Sequence, residues 1–66
     1  MKIILNGKTH ILEKRTSIEL LMGLFSLDPR KVAIEHNLCI IPANEYADTY
    51  VEDGDVLEVV QFIGGG

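Results

Sequence analysis

The sequence predicts an α+β fold in which one main helix covers one face of a mixed sheet of four to five strands. Three observations predict it. Asn6-Gly7 lies between two short strand-like stretches, and this dipeptide is the strongest short hairpin signal, because a type I′ turn needs positive φ at both central residues. Ile18, Leu21, Met22 and Phe25 recur at helical spacing, widened by Leu24, and so form one apolar stripe. Residues 56–62 are rich in β-branched side chains, which suit a pleated, half-buried surface.

The elements follow in order. Residues 2–5 and 8–12 read as the two arms of the hairpin, with Ile3 and Leu5 on one face and Ile11 expected to join them across the pair. Thr16-Ser17-Ile18-Glu19 has capping-box spacing: the Thr16 hydroxyl is placed to accept from the Glu19 amide while the Glu19 side chain reaches back. The helix pattern is expected to end at Asp28-Pro29, since the residue before a proline disfavours helical geometry. Residues 32–35 read as a strand, His36-Asn37 as a turn, and 38–41 as a short strand stopped by Pro42. Residues 43–50 have mixed periodicity and predict an irregular crossing with one helical turn. Asp53-Gly54-Asp55 is a turn signal before the last strand. If the first and last strands lie side by side and parallel, this order is the β-grasp arrangement; pattern alone leaves that adjacency open. Residues 1–62 are expected to form the β-grasp domain, and 63–66 a flexible glycine-rich C-terminal tail.

Composition narrows the function. A chain of 66 residues is near the lower limit for self-stabilised folding and buries roughly 60% of its unfolded surface. That leaves little room for a deep small-molecule pocket of about 300 Å³ or more. A carrier or binding module is therefore favoured over a stand-alone enzyme. The formal charge is −4, and the six Lys and Arg residues are dispersed, which argues against nucleic-acid binding. No apolar run approaches the ~20 residues needed to cross a bilayer, so no membrane partner is expected. The opening Met1-Lys2-Ile3-Ile4-Leu5-Asn6-Gly7 turns polar too soon for a signal peptide, and a cytoplasmic location is expected. Cys39, in an apolar run, is read as a small buried hydrophobe. His10, His36 and Cys39 are too scattered to suggest a metal site, and Glu52, Asp53 and Asp55 read as a solvated turn without the calcium-loop pattern. The chain shows no nucleophile elbow, phosphate loop or catalytic triad, and no catalytic residue is assigned.

Two features of the C-terminal region point further. With Leu57 and Val59 facing the helix, Val60 and Phe62 face the other way, and with Ile4 they would form an apolar patch. Two readings fit: a protein contact, or the scattered surface apolar residues common to all proteins. The chain then reaches Ile63-Gly64-Gly65-Gly66. A glycine-rich end is read either as an incidental frayed terminus or as a leash without Cβ atoms that enters a narrow channel. A terminal carboxylate has a pKa of about 3.3–3.7 and is a poor electrophile when ionised. Conversion to an acyl adenylate would make it reactive toward a sulfur nucleophile.

The chain resembles the ThiS family, the ubiquitin-like sulfur carriers of thiamine biosynthesis in the ThiS/MoaD superfamily, over essentially its whole length. The resembling residues are Met1-Lys2-Ile3-Ile4-Leu5-Asn6-Gly7, Val32-Ala33-Ile34-Glu35 with Asn37, Ile41-Pro42, Asp53-Gly54-Asp55, Glu58-Val59-Val60 and Phe62-Ile63-Gly64-Gly65-Gly66. The resemblance implies that Gly66 is adenylated and converted to a thiocarboxylate, with Gly64 and Gly65 as the tail before it. A ThiF-type adenylating enzyme would use ATP and Mg, neither bound by this chain. A cysteine desulfurase relay would supply sulfur, and a ThiG-type thiazole synthase would accept it. Ile4, Val60, Phe62 and Ile63 are the candidate partner contacts. The alternatives are a carrier for molybdopterin or another pathway, and a ubiquitin-like protein modifier. One departure is Leu38, where family members often have glycine after the asparagine matching Asn37.

Overall fold

The computed structural model describes residues 1–62. Two strands, β1 (Lys2–Leu5) and β2 (Lys8–Ile11), form the expected hairpin. Asn6 and Gly7 hold φ of 50° and 80° in its two-residue loop, the left-handed pair that a type I′ turn demands. Next come the short strand β3 (Thr16–Ser17) and the helix α1 (Ile18–Leu24). Strands β4 (Val32–His36) and β5 (Cys39–Ile40) follow, then a 3₁₀ turn at Ala43–Glu45, β6 (Tyr50–Val51) and β7 (Val56–Gln61).

The main sheet has five strands in the order β2-β1-β7-β4-β5. β1 and β7, the first and last strands, are neighbours and run parallel, with Ile4 beside Val56 and Leu5 beside Leu57. β7 pairs antiparallel with β4 from Val32↔Gln61 to His36↔Leu57. This is the β-grasp arrangement. A second, two-stranded ladder joins β3 to β6; its strands are too short for periodicity to reveal.

The helix lies against one sheet face. Ile18, Leu21 and Met22 from α1 join Ile3, Leu5, Ile34 and Leu57 in a single core, and Ile3, Ile18, Leu21, Ile34 and Leu57 are fully buried. Each such side chain contributes about 1.5–3 kcal/mol relative to an exposed one. The crossing over the helix end adds Ile41, Tyr46 and Val51.

Several expectations are corrected. The cap of α1 is Ser17, whose Oγ accepts from the Leu20 amide at 3.0 Å. Thr16 is instead buried in β3, its hydroxyl donating to the Lys14 carbonyl. The helix stops at Leu24, before Asp28-Pro29. Ser26 takes φ of 56°, the Ser26 amide donates to the Gly23 carbonyl, and the Leu27 amide to the Met22 carbonyl at 2.8 Å. This pair of bonds is a Schellman motif, which satisfies carbonyls that a longer helix would have used. Leu24, the last residue of the helix, is exposed rather than part of the core stripe, while Phe25 packs against the core edge.

Ile11 does not join Ile3 and Leu5: it is 69% exposed, and Leu12 is buried in its place. The reason is register. A two-residue loop pairs Leu5 with Lys8, so odd positions in β1 meet even positions in β2, and Ile11 falls opposite Lys2 on the outer face. Met1 extends the ladder through its amine and carbonyl, each bonded to Leu12 at 2.8 Å. Cys39 is also exposed, not buried. It lies on the two-residue edge strand β5, opposite His36, and among the described residues no further strand lies beyond it.

Candidate functional site

The outer sheet face, opposite α1, is built by strict alternation. Leu57 and Val59 point toward the helix side, the first fully buried and the second partly. The alternate residues of β7, and Phe62 just after it, then face outward: Val56, Val60 and Phe62 are exposed at 40%, 42% and 53%. Ile4, beside Val56, is half-buried on the same face, and register places Ala33 opposite Val60. Ile11 and Ile40 extend the apolar surface toward the two sheet edges. The structure therefore brings Ile4, Val60 and Phe62 onto one face, as the spacing predicts. Ile63, Gly64, Gly65 and Gly66 lie outside the described residues.

Two carboxylates interrupt this face. Glu35 and Glu58 are direct cross-strand partners, both facing outward. Like charges so placed are destabilising in a ladder, and neither has an ion-pair partner among the described residues.

Beneath the start of β7 is a polar network that the sequence did not announce. Asp55 is almost fully buried, not part of a solvated turn. Its Oδ2 accepts from His36 Nε2 at 2.6 Å and from the Glu52 amide at 2.8 Å, and its Oδ1 from Asn37 Nδ2 at 3.3 Å. Asn37 in turn accepts from the Val56 amide through Oδ1 and donates its own amide to the Val56 carbonyl. Burial pushes the Asp55 carboxyl up, but the bonds from His36, Glu52 and Asn37 outweigh it and hold the group below its ordinary range. The available signal was Asn37 and Asp55 in the turns flanking two strands, but nothing local joins positions so far apart. Asp53 is a structural acceptor too, its Oδ1 taking the Lys2 amide.

A second side-chain bond fixes the other flank of β7. Asn6 Oδ1 accepts from the Val59 amide at 2.7 Å. β1 ends at Leu5, so the Asn6 side chain supplies the acceptor that the next carbonyl of a longer β1 would have offered.

A surface groove of about 410 Å³ runs between the end of β2 and α1, lined by Ile11, Leu12, Glu13, Lys14, Thr16, Leu20 and Leu24. It holds no cluster of nucleophile and base. Among the described residues no group of three or more His, Cys, Asp or Glu is placed to hold a metal ion. No helix among them is long and apolar enough to cross a membrane.

Fold and face together define a ubiquitin-like β-grasp protein whose central C-terminal strand is bordered by an exposed apolar surface. More narrowly, the chain belongs to the ThiS family, whose model matches residues 3–66. It is 38% identical over 63 residues to the sulfur carrier protein ThiS of Bacillus subtilis, covering 94% of this chain and 96% of that one. It is 47% identical over 66 residues to a thiazole synthase of Paramagnetospirillum magneticum, covering all of this chain but 20% of that protein. A thiazole synthase of Magnetococcus marinus matches at 46%, again over 20% of its length. The chain thus spans about a fifth of the length of these two relatives. The crystal structure of the thiamine biosynthesis protein ThiS from Geobacter metallireducens superposes with a TM-score of 0.88 at 26% identity, covering the whole of both chains.

Proposed function

We propose that this chain is a sulfur carrier of thiamine biosynthesis: a protein co-substrate, not an enzyme, that carries sulfur as a thiocarboxylate on Gly66. The observation that carries the reading is the family match, which extends through residue 66 in a chain whose last strand is the centre of the sheet. The names of the Bacillus and Geobacter relatives support the pathway. Those of the longer relatives, in which a similar domain accompanies a thiazole synthase, support that enzyme as acceptor.

The chemistry follows from the carboxylate. An adenylating enzyme of the ThiF type, using ATP and Mg, joins the Gly66 carboxylate to AMP and releases pyrophosphate. The mixed anhydride is an electrophile: a persulfide from a cysteine desulfurase relay displaces AMP to give an acyl disulfide. A thiol then cleaves its S–S bond, leaving the thiocarboxylate on Gly66 and a disulfide between the thiol and the relay cysteine. This chain supplies no acid, base or metal ligand to those steps. Its contributions are a tail without side chains at residues 64–66 and a docking surface of Ile4, Val60 and Phe62, with Ile63 the remaining candidate contact in the sequence.

Intact-mass measurement tests the reading. After incubation with an adenylating enzyme of this type, ATP, Mg and a sulfur source, the chain gains the mass of one sulfur-for-oxygen exchange. A chain lacking Gly66 gains none. An unchanged mass for the full chain under those conditions sinks the proposal.

A further inference from the structure

The backbone of β7 is paired on both sides for only part of its length. Its even-numbered residues bond toward β4, as the Phe62 amide does to the Lys31 carbonyl and the Val56 carbonyl to the Asn37 amide. Its odd-numbered residues bond toward β1: the Asp55 carbonyl to the Ile4 amide, and the Leu57 carbonyl to the Asn6 amide, both at 2.9 Å. On this second side the ladder closes with the Val59 amide on Asn6 Oδ1, because the chain turns away at Asn6-Gly7 into β2. The next groups in the same row are the Val59 carbonyl and the Gln61 amide and carbonyl. Among the described residues none of these three meets a backbone partner. They form a short open edge in the middle of the sheet order, immediately before the C-terminal segment.

We propose that this edge, residues 59–61, receives an extended backbone segment of the thiazole synthase as an added strand in line with β1. A row of unpaired amides and carbonyls on a flat strand is a template for such pairing. The occupant is argued from the longer relatives, which are named thiazole synthases and in which the matching segment is about a fifth of the polypeptide, so that the two would work side by side. The exposed Val60 and Phe62 flank the edge and would cover the added segment from the outer face. Pairing here fixes the direction in which the chain leaves the sheet, and so aims the residues that follow. The inference rests on the sulfur-carrier reading and deepens it by naming the backbone groups that the acceptor enzyme engages.

The Gln61 amide allows a selective test. Proline at 61 removes this one donor but leaves the bonds to β4, which use residues 58, 60 and 62; proline is tolerated in strands at such unpaired positions. Binding of the full-length chain to the thiazole synthase is measured by calorimetry. Gln61→Ala, which keeps the amide, is expected to bind like the wild type. Gln61→Pro is expected to bind about tenfold more weakly with a nearly unchanged melting temperature. A proline variant that stays folded and binds as tightly as the wild type overturns the proposal. Should that variant fail to fold, hydrogen exchange in the wild-type complex decides: slowed exchange at the Gln61 amide supports the added strand, and unchanged exchange overturns it. Absence of any binding by the wild-type chain, with no sulfur transfer to the synthase, would remove the carrier reading itself. Binding that ignores the proline removes only the added strand.

Discussion

His36 Nε2 donates to Asp55 Oδ2 at 2.6 Å across 19 positions of sequence, and this contact ties the β4–β5 hairpin to the turn that launches β7. Asp55 also takes the Glu52 amide and Asn37 Nδ2, so one nearly buried carboxylate joins the His36-Asn37 corner to the turn at residues 52–55, at the base of the strand leading to the tail. Replacing Asp55 by Ala leaves the imidazole donor and the Glu52 amide without their acceptor. The expected cost is about 2–3 kcal/mol, since bonds to a charged group are at the strong end of the range. Urea titration of Asp55→Ala against wild type checks this.

The same carboxylate sets an acid response. Its folded pKa is lowered, so its contribution to stability is present above the unfolded value and fades as pH falls through the folded one. With an unfolded value near the usual ~3.9, the loss falls below about pH 4. Wild-type stability should decline through that window, and Asp55→Asn should show a shallower decline from a lower starting point. Parallel slopes for the two proteins between neutral pH and pH 2 would contradict the assignment to Asp55.

Asn6 carries two duties at once. Its φ of 50° suits the type I′ loop, and its side chain takes the Val59 amide at 2.7 Å. Asn6→Ala loses both the tolerance for left-handed backbone and the acceptor, and should cost about 2 kcal/mol. Asn6→Asp keeps both features and should cost less. Equal losses for the two variants by thermal melting would mean that the side-chain bond contributes nothing.

The loop between β4 and β5 holds Asn37 and Leu38 at φ of 50° and 74°. A leucine in this region suffers the steric cost of its Cβ, about 1–2 kcal/mol, and gains nothing by burial because it is 88% exposed. Leu38→Gly is therefore expected to stabilise the domain by about 1 kcal/mol, the relief being partly offset by glycine's greater freedom when unfolded. A lower midpoint in urea for this variant would show that Leu38 packs where the structure leaves it open.

The helix stripe, the Asn6-Gly7 hairpin and β7 were legible because each is written in adjacent residues. The same local reading gave Leu57 and Val59 one face and Val60 and Phe62 the other. It misplaced Ile11, because one residue of register turns a strand position to the other face, and the pairing of Leu5 with Lys8 decides it. Thr16 and Ser17 both have capping chemistry; β3 pairing with Val51 and Tyr50 claimed the first and left the cap to the second. Cys39 looked buried because its neighbours are apolar, yet edge strands expose residues whatever their hydropathy. The Asp55 network was illegible for a different reason: its partners come from the end of β4, the turn after it and the turn before β7, which only the β4–β7 pairing brings together.

Val60 and Phe62 are exposed on the outer face, and neither belongs to the buried core, so charge placed there tests docking apart from folding. Val60→Asp and Phe62→Asp put a carboxylate on the surface that already carries Glu35 and Glu58 without ion-pair partners among the described residues. An apolar enzyme surface meeting this face would have to desolvate the added charge. Affinity for the adenylating enzyme should then fall about tenfold or more for Phe62→Asp, aromatic side chains being frequent anchors of interfaces. Leu20→Asp, on the helix side, provides the control, being also exposed but on the opposite surface; it should bind like the wild type. Equal loss of affinity for Leu20→Asp and Phe62→Asp would point to net charge rather than to this face. No loss for Phe62→Asp would remove the outer sheet surface from the encounter.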